Sequence, residues 1–261
     1  MKTRLFPLLF LVAVFLSGCL EMTQELTVEK DGSGTLSGTT DMSQVMSVMM
    51  QLAGDKLGSE KINLDTTIGF KKILDSIPDM SAANKDLFKN GIVHVVMKMD
   101  DSKYTINSNI PFKKMNDVEK ITKALQTEVN GKFLGNAMKE AMKNVQAFGG
   151  SQMPNNSQEL PPMSLPENYF ILTCKDGSIS RMQDKVKMKT LADDQMMSQM
   201  KQMTAMGAPL KTNFIINLPR PAKKVEGKNV QVSADKKKIT IANELNDLFE
   251  DPSLYEFKIE Y

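Results

Sequence analysis

The feature that most restricts the fold of this 261-residue chain is a series of short alternating segments cut by tight-turn residues. Glu25-Leu26-Thr27-Val28-Glu29 alternates polar and apolar side chains, Asp31-Gly32-Ser33-Gly34 follows, and residues 35–40 are rich in β-formers. A period of two places Leu26 and Val28 on one strand face, and the glycines accept the positive φ a hairpin turn asks for. Residues 92–99 and 104–110, joined by Asp100-Asp101-Ser102-Lys103, read as a second hairpin, and arms 229–233 and 238–242 around an Ala-Asp-Lys turn read as a third. Strands are also expected at 213–218, ended by Pro219, and at 254–261.

Helical patterns lie between these arms. A helix is expected after residue 40, capped by Asp41 or Ser43, with Met42, Val45, Met46, Met49, Met50 and Leu52 on its apolar face. Residues 65–76 and 81–89 read as two short helices split by Pro78, 116–129 and 133–147 as amphipathic helices, and 188–206 as a Met-rich helix. Antiparallel hairpins with inserted amphipathic helices make an α+β fold; the pattern does not decide between one sheet and two. Lys-Asp-Gly-Ser occurs at 30–33 and again at 175–178, after a strand at 169–173, each time ahead of a Met-rich helix. A duplicated hairpin-helix unit and two independent uses of good turn chemistry both account for that.

The first residues address location. Lys2 and Arg4 precede an apolar run from Leu5 to Leu16 broken only by Pro7, and Leu16-Ser17-Gly18-Cys19 closes it. Crossing a bilayer takes about 20 apolar residues, so this run reads as a secretory signal and not as a spanning helix. Its ending resembles the lipobox of bacterial lipoproteins. That resemblance implies cleavage before Cys19, diacylglycerol on its thiol and an acylated amine. Two or three acyl chains then tether the protein to a membrane, where one chain holds only marginally. Leu20 stands where an Asp resembles the inner-membrane retention signal, so a Gram-negative host is expected to send the protein to the outer membrane. The expected organisation is a signal peptide over 1–18, a lipidated tether over 19–24 and a first α+β half over 25–148. A Pro/Gly/Asn-rich loop over 149–168 leads to a second α+β half of the same domain over 169–261. The tether would reach about 17 Å.

Composition excludes more than it assigns. The chain has 33 basic and 31 acidic residues, and both surplus bases lie in the leader, so the mature body is neutral and gives no reason to expect nucleic acid. With Cys19 consumed by lipid, Cys174 is left alone and reads as a buried small hydrophobe at a strand end. No Gly-x-Ser-x-Gly, His-Glu-x-x-His, phosphate-binding loop or Cys-x-x-Cys is present, and no cofactor is expected. The one His, His94, alternates against Val93 and Val95 and is read as structural; an enzyme would have to recruit it with distant carboxylates. Asp100-Asp101 and Asp193-Asp194 read as turn and capping residues. Asp31-Gly32-Ser33-Gly34 lacks the alternating oxygen ligands and closing Glu of a calcium loop.

The 21 Met residues are the unusual number. Met197, Met200, Met203 and Met206 recur every third residue beside Met196, which on a helix stacks thioethers on one face. That face can be core, an apolar groove for lipid or a partner segment, or a Cu(I) site; the absence of an accompanying His or Cys puts metal last.

The turn at 31–34 with its flanking strand, and Phe214-Ile215-Ile216-Asn217-Leu218-Pro219 followed by Asn229 and the 235–241 turn and strand, resemble lipoproteins that include the mycobacterial LppM domain. The resemblance implies an α+β body in contact with lipids and transfers no functional residue except Cys19. The expectation is therefore a lipid-anchored, non-enzymatic envelope protein that binds lipid or a partner segment through its Met-rich helices. An enzyme built on His94 or exposed carboxylates, and a soft-metal binder, are the alternatives.

Overall fold

The alternating segments pair into two sheets. The computed structural model describes residues 20–43, 63–75, 80–126, 165–205 and 209–261. Its strands are β1 Leu20–Val28, β2 Gly34–Asp41, β3 Asn63–Gly69, β4 Ile92–Lys98, β5 Lys103–Phe112 and β6 Phe170–Lys175. They continue with β7 Ser178–Gln183, β8 Leu210–Asn217, β9 Lys224–Gly227, β10 Val230–Val232, β11 Lys238–Glu244 and β12 Phe257–Glu260. The helices are α1 Phe70–Leu74, α2 Ala82–Phe88, α3 Met115–Ala124, α4 Gln195–Ala205 and α5 Leu245–Glu250, with 3-10 turns at Pro166–Tyr169, Lys187–Asp193 and Pro252–Tyr255. The fold is α+β, as the hairpin pattern indicates.

The larger sheet has eight strands in the order β10-β11-β8-β1-β2-β5-β4-β3, and the smaller has four in the order β6-β7-β12-β9. Both halves of the chain enter the larger sheet. They meet where β1 runs parallel to β8, in a register that sets Leu20 against Leu210 and Thr27 against Asn217. The outer face of that pair carries the same side-chain cluster twice, four residues apart. Asn213 Nδ2 donates to Glu21 Oε1 (2.7 Å) and Thr23 Oγ1, and Asn217 Nδ2 donates to Glu25 Oε1 and to Thr27 Oγ1 at 3.1 Å.

On the inner face Leu26, Leu36, Ile110, Phe214, Ile216 and Ile241 are buried, in one cluster with Leu172, Cys174, Ile179, Phe257 and Ile259 of the smaller sheet. Phe214 stacks on Phe257 at 5.6 Å between centroids, joining the two layers. Phe70, Ile73, Phe88, Val118 and Ile121 of α1–α3 complete this core. A second cluster, built around Tyr169, Phe170, Leu191, Met197, Leu245, Leu248 and Tyr255, closes one end of the sandwich. Cys174 is buried as expected, and burial pushes its thiol up to about 12.

Several boundaries differ from expectation for identifiable reasons. The segment read as tether is already sheet: β1 starts at Leu20 because residues 20–24 keep the alternation and find partners on both sides, in β2 and β8. Residues 65–69 belong to β3 and not to a helix. Leu64 and Ile68 are buried four apart, a spacing that shares a face in a strand as well as in a helix. The Met-rich helix begins at Gln195, after the 3-10 turn, with the Asp194 side chain accepting from Met197 N at 3.0 Å. The helix expected after residue 43, the segment 133–147 and most of the 149–168 loop lie outside the described residues. No local pattern announced β9 or α5.

The two Lys-Asp-Gly-Ser sequences build different turns. Gly32 and Gly177 both take positive φ, at 81° and 75°. The first pairs Val28 with Gly34 across a five-residue loop in the larger sheet; the second pairs Lys175 with Ser178 across two residues in the smaller. The two hairpins thus differ in loop length and in sheet, and shared turn chemistry accounts for the repeated tetrapeptide.

Candidate functional site

Cys19 and Met206 lie outside the described residues, as does the Met203 side chain. The described Met side chains of α4 differ in burial. Met197 is fully buried against Leu210, Leu245 and Leu248, Met200 packs half-buried on the same cluster, and Met196 keeps part of its surface. Met197 and Met200 thus lie on the core-facing stripe of an amphipathic helix. Among the described residues no group of three or more His, Cys, Asp or Glu could hold a metal ion.

The carboxylate pairs have structural roles. Asp194 caps α4 and also accepts from Tyr169 OH at 2.6 Å. Asp100 and Asp101 occupy the exposed turn between β4 and β5, where Asp101 N donates to Lys98 O and Ser102 takes a φ of 48°. His94 does have a carboxylate partner: its Nε2 lies 2.7 Å from Asp65 Oδ1 on the neighbouring edge strand β3. Lys98 Nζ reaches the other oxygen of Asp65 at 3.7 Å. Hydrogen bonding from His94, then the two positive charges, hold the Asp65 carboxyl below its ordinary value. This cluster is exposed, with the Asp65 side chain at 52%. Among the described residues no hydroxyl or thiol is hydrogen-bonded to His94. Charged side chains on an edge strand also discourage further strand pairing.

The site that sequence reasoning missed lies inside the sandwich. In Ile179-Ser180-Arg181-Met182, Arg181 shares the inner face with Ile179 and is only 5% exposed, while Met182 faces solvent. Its Nε donates to Tyr255 O at 2.8 Å. Its guanidinium carbon lies 5.1 to 5.7 Å from the centroids of Phe257, Phe214, Tyr255 and Phe170. The ring faces offset part of the cost of burying the charge. Burial lowers the Arg181 pKa to about 10, against the opposing pull of Glu167, so the group remains charged at neutral pH.

Glu167, in the 3-10 turn before β6, is the carboxylate that interacts with Arg181 without forming an ion pair among the described residues. The residue keeps some surface, but its carboxyl group is enclosed, and burial pushes it above its ordinary value while Arg181 pulls it down. Gln126, just past α3, donates from Nε2 to Glu167 O at 2.8 Å and fixes this turn against the helix. Between these groups is a cavity of about 10 Å³ lined by Gln24, Thr122, Gln126, Glu167, Arg181 and Phe214, among others. The buried Thr122 hydroxyl has no hydrogen-bond partner. The arrangement can hold a small polar or negatively charged particle. The alternation in residues 178–183 was the available signal for it.

Comparison with protein-family models, with curated proteins and with solved structures finds no match.

Proposed function

We propose that this chain is a lipid-anchored bacterial envelope protein with a non-enzymatic binding or scaffold role, held to the membrane by acyl chains on Cys19. The observation that carries the reading is where the described sheet begins. Leu20, the residue after Cys19, already belongs to β1 and donates its N–H to Pro209 O at 3.1 Å. An anchor placed there has no slack, so the end of the sheet stands at the headgroups. That end also carries Asp41 at the close of β2, Leu210 at the start of β8 and Glu244 at the close of β11. The hairpin loop around Gly32 points away from the bilayer.

Lipid supplies the attachment in this reading, since each buried methylene contributes about 0.8 kcal/mol and two or three chains suffice. Among the described residues no helix is long and apolar enough to cross a membrane. A lipid or partner segment approaching α4 would meet Met196 and Met200, the Met side chains there that keep surface. Cys19→Ala is expected to abolish incorporation of labelled palmitate and move the protein from the membrane to the soluble fraction. Full labelling and membrane retention in that variant would overturn the reading. Labelling intact cells with an impermeant reagent then reports which way the body faces.

The Asp65 partner of His94 favours the enzymatic alternative, but the exposure of the pair and the competing Lys98 rank it second.

A further inference from the structure

We propose that the cavity beside Arg181 binds one inorganic anion of halide size, with Glu167 as the acid group that governs its uptake. The inference is independent of the lipid anchor. It rests on three sets of hydrogen-bonding groups that converge on one small space without protein partners there. Only Nε of the buried Arg181 guanidinium is engaged, leaving its terminal nitrogens uncommitted among the described residues. Thr122 is 8% exposed and its hydroxyl is unpartnered. The Gln24 side-chain amide, on the inner face of β1, makes no hydrogen bond among the described residues. Those groups supply N–H and O–H donors, and Phe170, Leu172 and Phe214 supply apolar walls.

Size and charge then select the occupant. A volume of about 10 Å³ is on the scale of a single water or monatomic ion and is small for phosphate or a lipid headgroup. Glu167 and Tyr255 are the titratable groups that interact with Arg181, and Arg181 is the charge that interacts with Glu167. Toward this space α3 brings Thr122, the segment just past it Gln126 and β1 Gln24, and β6 and β8 bring apolar side chains. With Glu167 ionised, the cationic charge is offset and water satisfies the donors. Once Glu167 takes a proton, an uncompensated guanidinium is left in a low-dielectric interior, and a monovalent anion is the smallest group that neutralises it. Burial of the Glu167 carboxyl brings that protonation into milder acid than a free carboxylate needs.

The test measures thermal unfolding of the full chain in detergent, comparing sodium chloride with sodium gluconate at equal ionic strength. An anion that binds only the folded state raises the melting temperature with concentration and saturates. The chloride-specific rise is expected to be absent at about pH 8 and to appear as pH is lowered in the native protein, and to be present throughout in Glu167→Gln. Thr122→Val is expected to raise the half-saturating chloride concentration by about fivefold, for one lost hydrogen bond. Arg181→Met should remove the rise. Equal responses of Glu167→Gln to chloride and gluconate, or a chloride-specific rise that survives Arg181→Met, overturn the proposal. Should Arg181→Met fail to fold, bromide-soaked crystals of Glu167→Gln decide. An anomalous peak within hydrogen-bond distance of Arg181 and Thr122 supports the site, and a water-only cavity overturns it.

Discussion

Arg181 inside the sandwich and His94 on the open face of β4 are both basic groups set near a carboxylate, and they differ chiefly in how much water surrounds them. Around Arg181 there are four aromatic rings, one backbone carbonyl and a carboxyl group held at a distance. Around His94 there are solvent, Asp65 in direct contact and Lys98 nearby. The exposed cluster has the shorter contact but the weaker hold, because water and salt screen it. The buried cation has no ion-pair contact among the described residues, yet removing it would leave its neighbours' needs unmet in a largely enclosed interior. Proximity to a carboxylate is therefore a poor guide to which of the two matters for stability.

Variants at the two places should separate accordingly. Arg181→Ala leaves a void among the rings, a Tyr255 carbonyl without its donor and Glu167 without an opposite charge; a loss of about 3–5 kcal/mol is expected in urea unfolding. Arg181→Met refills the space and should lose only about 1–3 kcal/mol, chiefly for the orphaned carbonyl. Equal losses in the two variants would show that charge, and not packing, dominates at this position.

Glu167→Gln tests the carboxyl group through pH. Its folded value lies above the unfolded one, so the folded state binds the extra proton, and stability from this group declines as pH rises from the ordinary Glu value through the raised one. The Gln variant is expected to lack that decline and to be the more stable protein above it. A parallel pH dependence in both proteins would place the titration elsewhere.

Asp65→Asn should give the smallest change. The Asp65 value is lowered, by His94 first, so its contribution is present above the ordinary Asp value and fades as pH falls through the lowered one. At neutral pH a slight drop in the urea midpoint is expected, removed by about 1 M salt. A salt-resistant drop as large as that of Arg181→Ala would reverse the comparison and reopen the catalytic reading of His94.

The difference between the two places also explains what could be read in advance. Local alternation put His94 opposite Val93 and Val95 on a two-sided strand, and the β4–β5 hairpin around it closes within a few residues. Arg181 obeys the same alternation, with Ile179 inward and Met182 outward, but its charge argues against the inner face when hydrophobicity alone is weighed. Only the rings of Phe170, Phe214, Tyr255 and Phe257, arriving from four separate elements, make that position tolerable. In α4 the Met period marked a face on which Met197 and Met200 pack in one cluster with Leu245 and Leu248 of an unexpected helix.

The amino-acid sequence by itself determined the hairpins, the turn glycines and the apolar faces of the helices, because each depends on neighbours within one turn or one strand pair. Tertiary structure alone decided which faces met. It placed β1 beside β8, some 190 residues away along the chain, turned the expected tether into a central strand and buried a cation among aromatic rings. Those outcomes depend on partners that no local period encodes, since backbone pairing and desolvation are satisfied by whichever distant segment arrives with the matching surface.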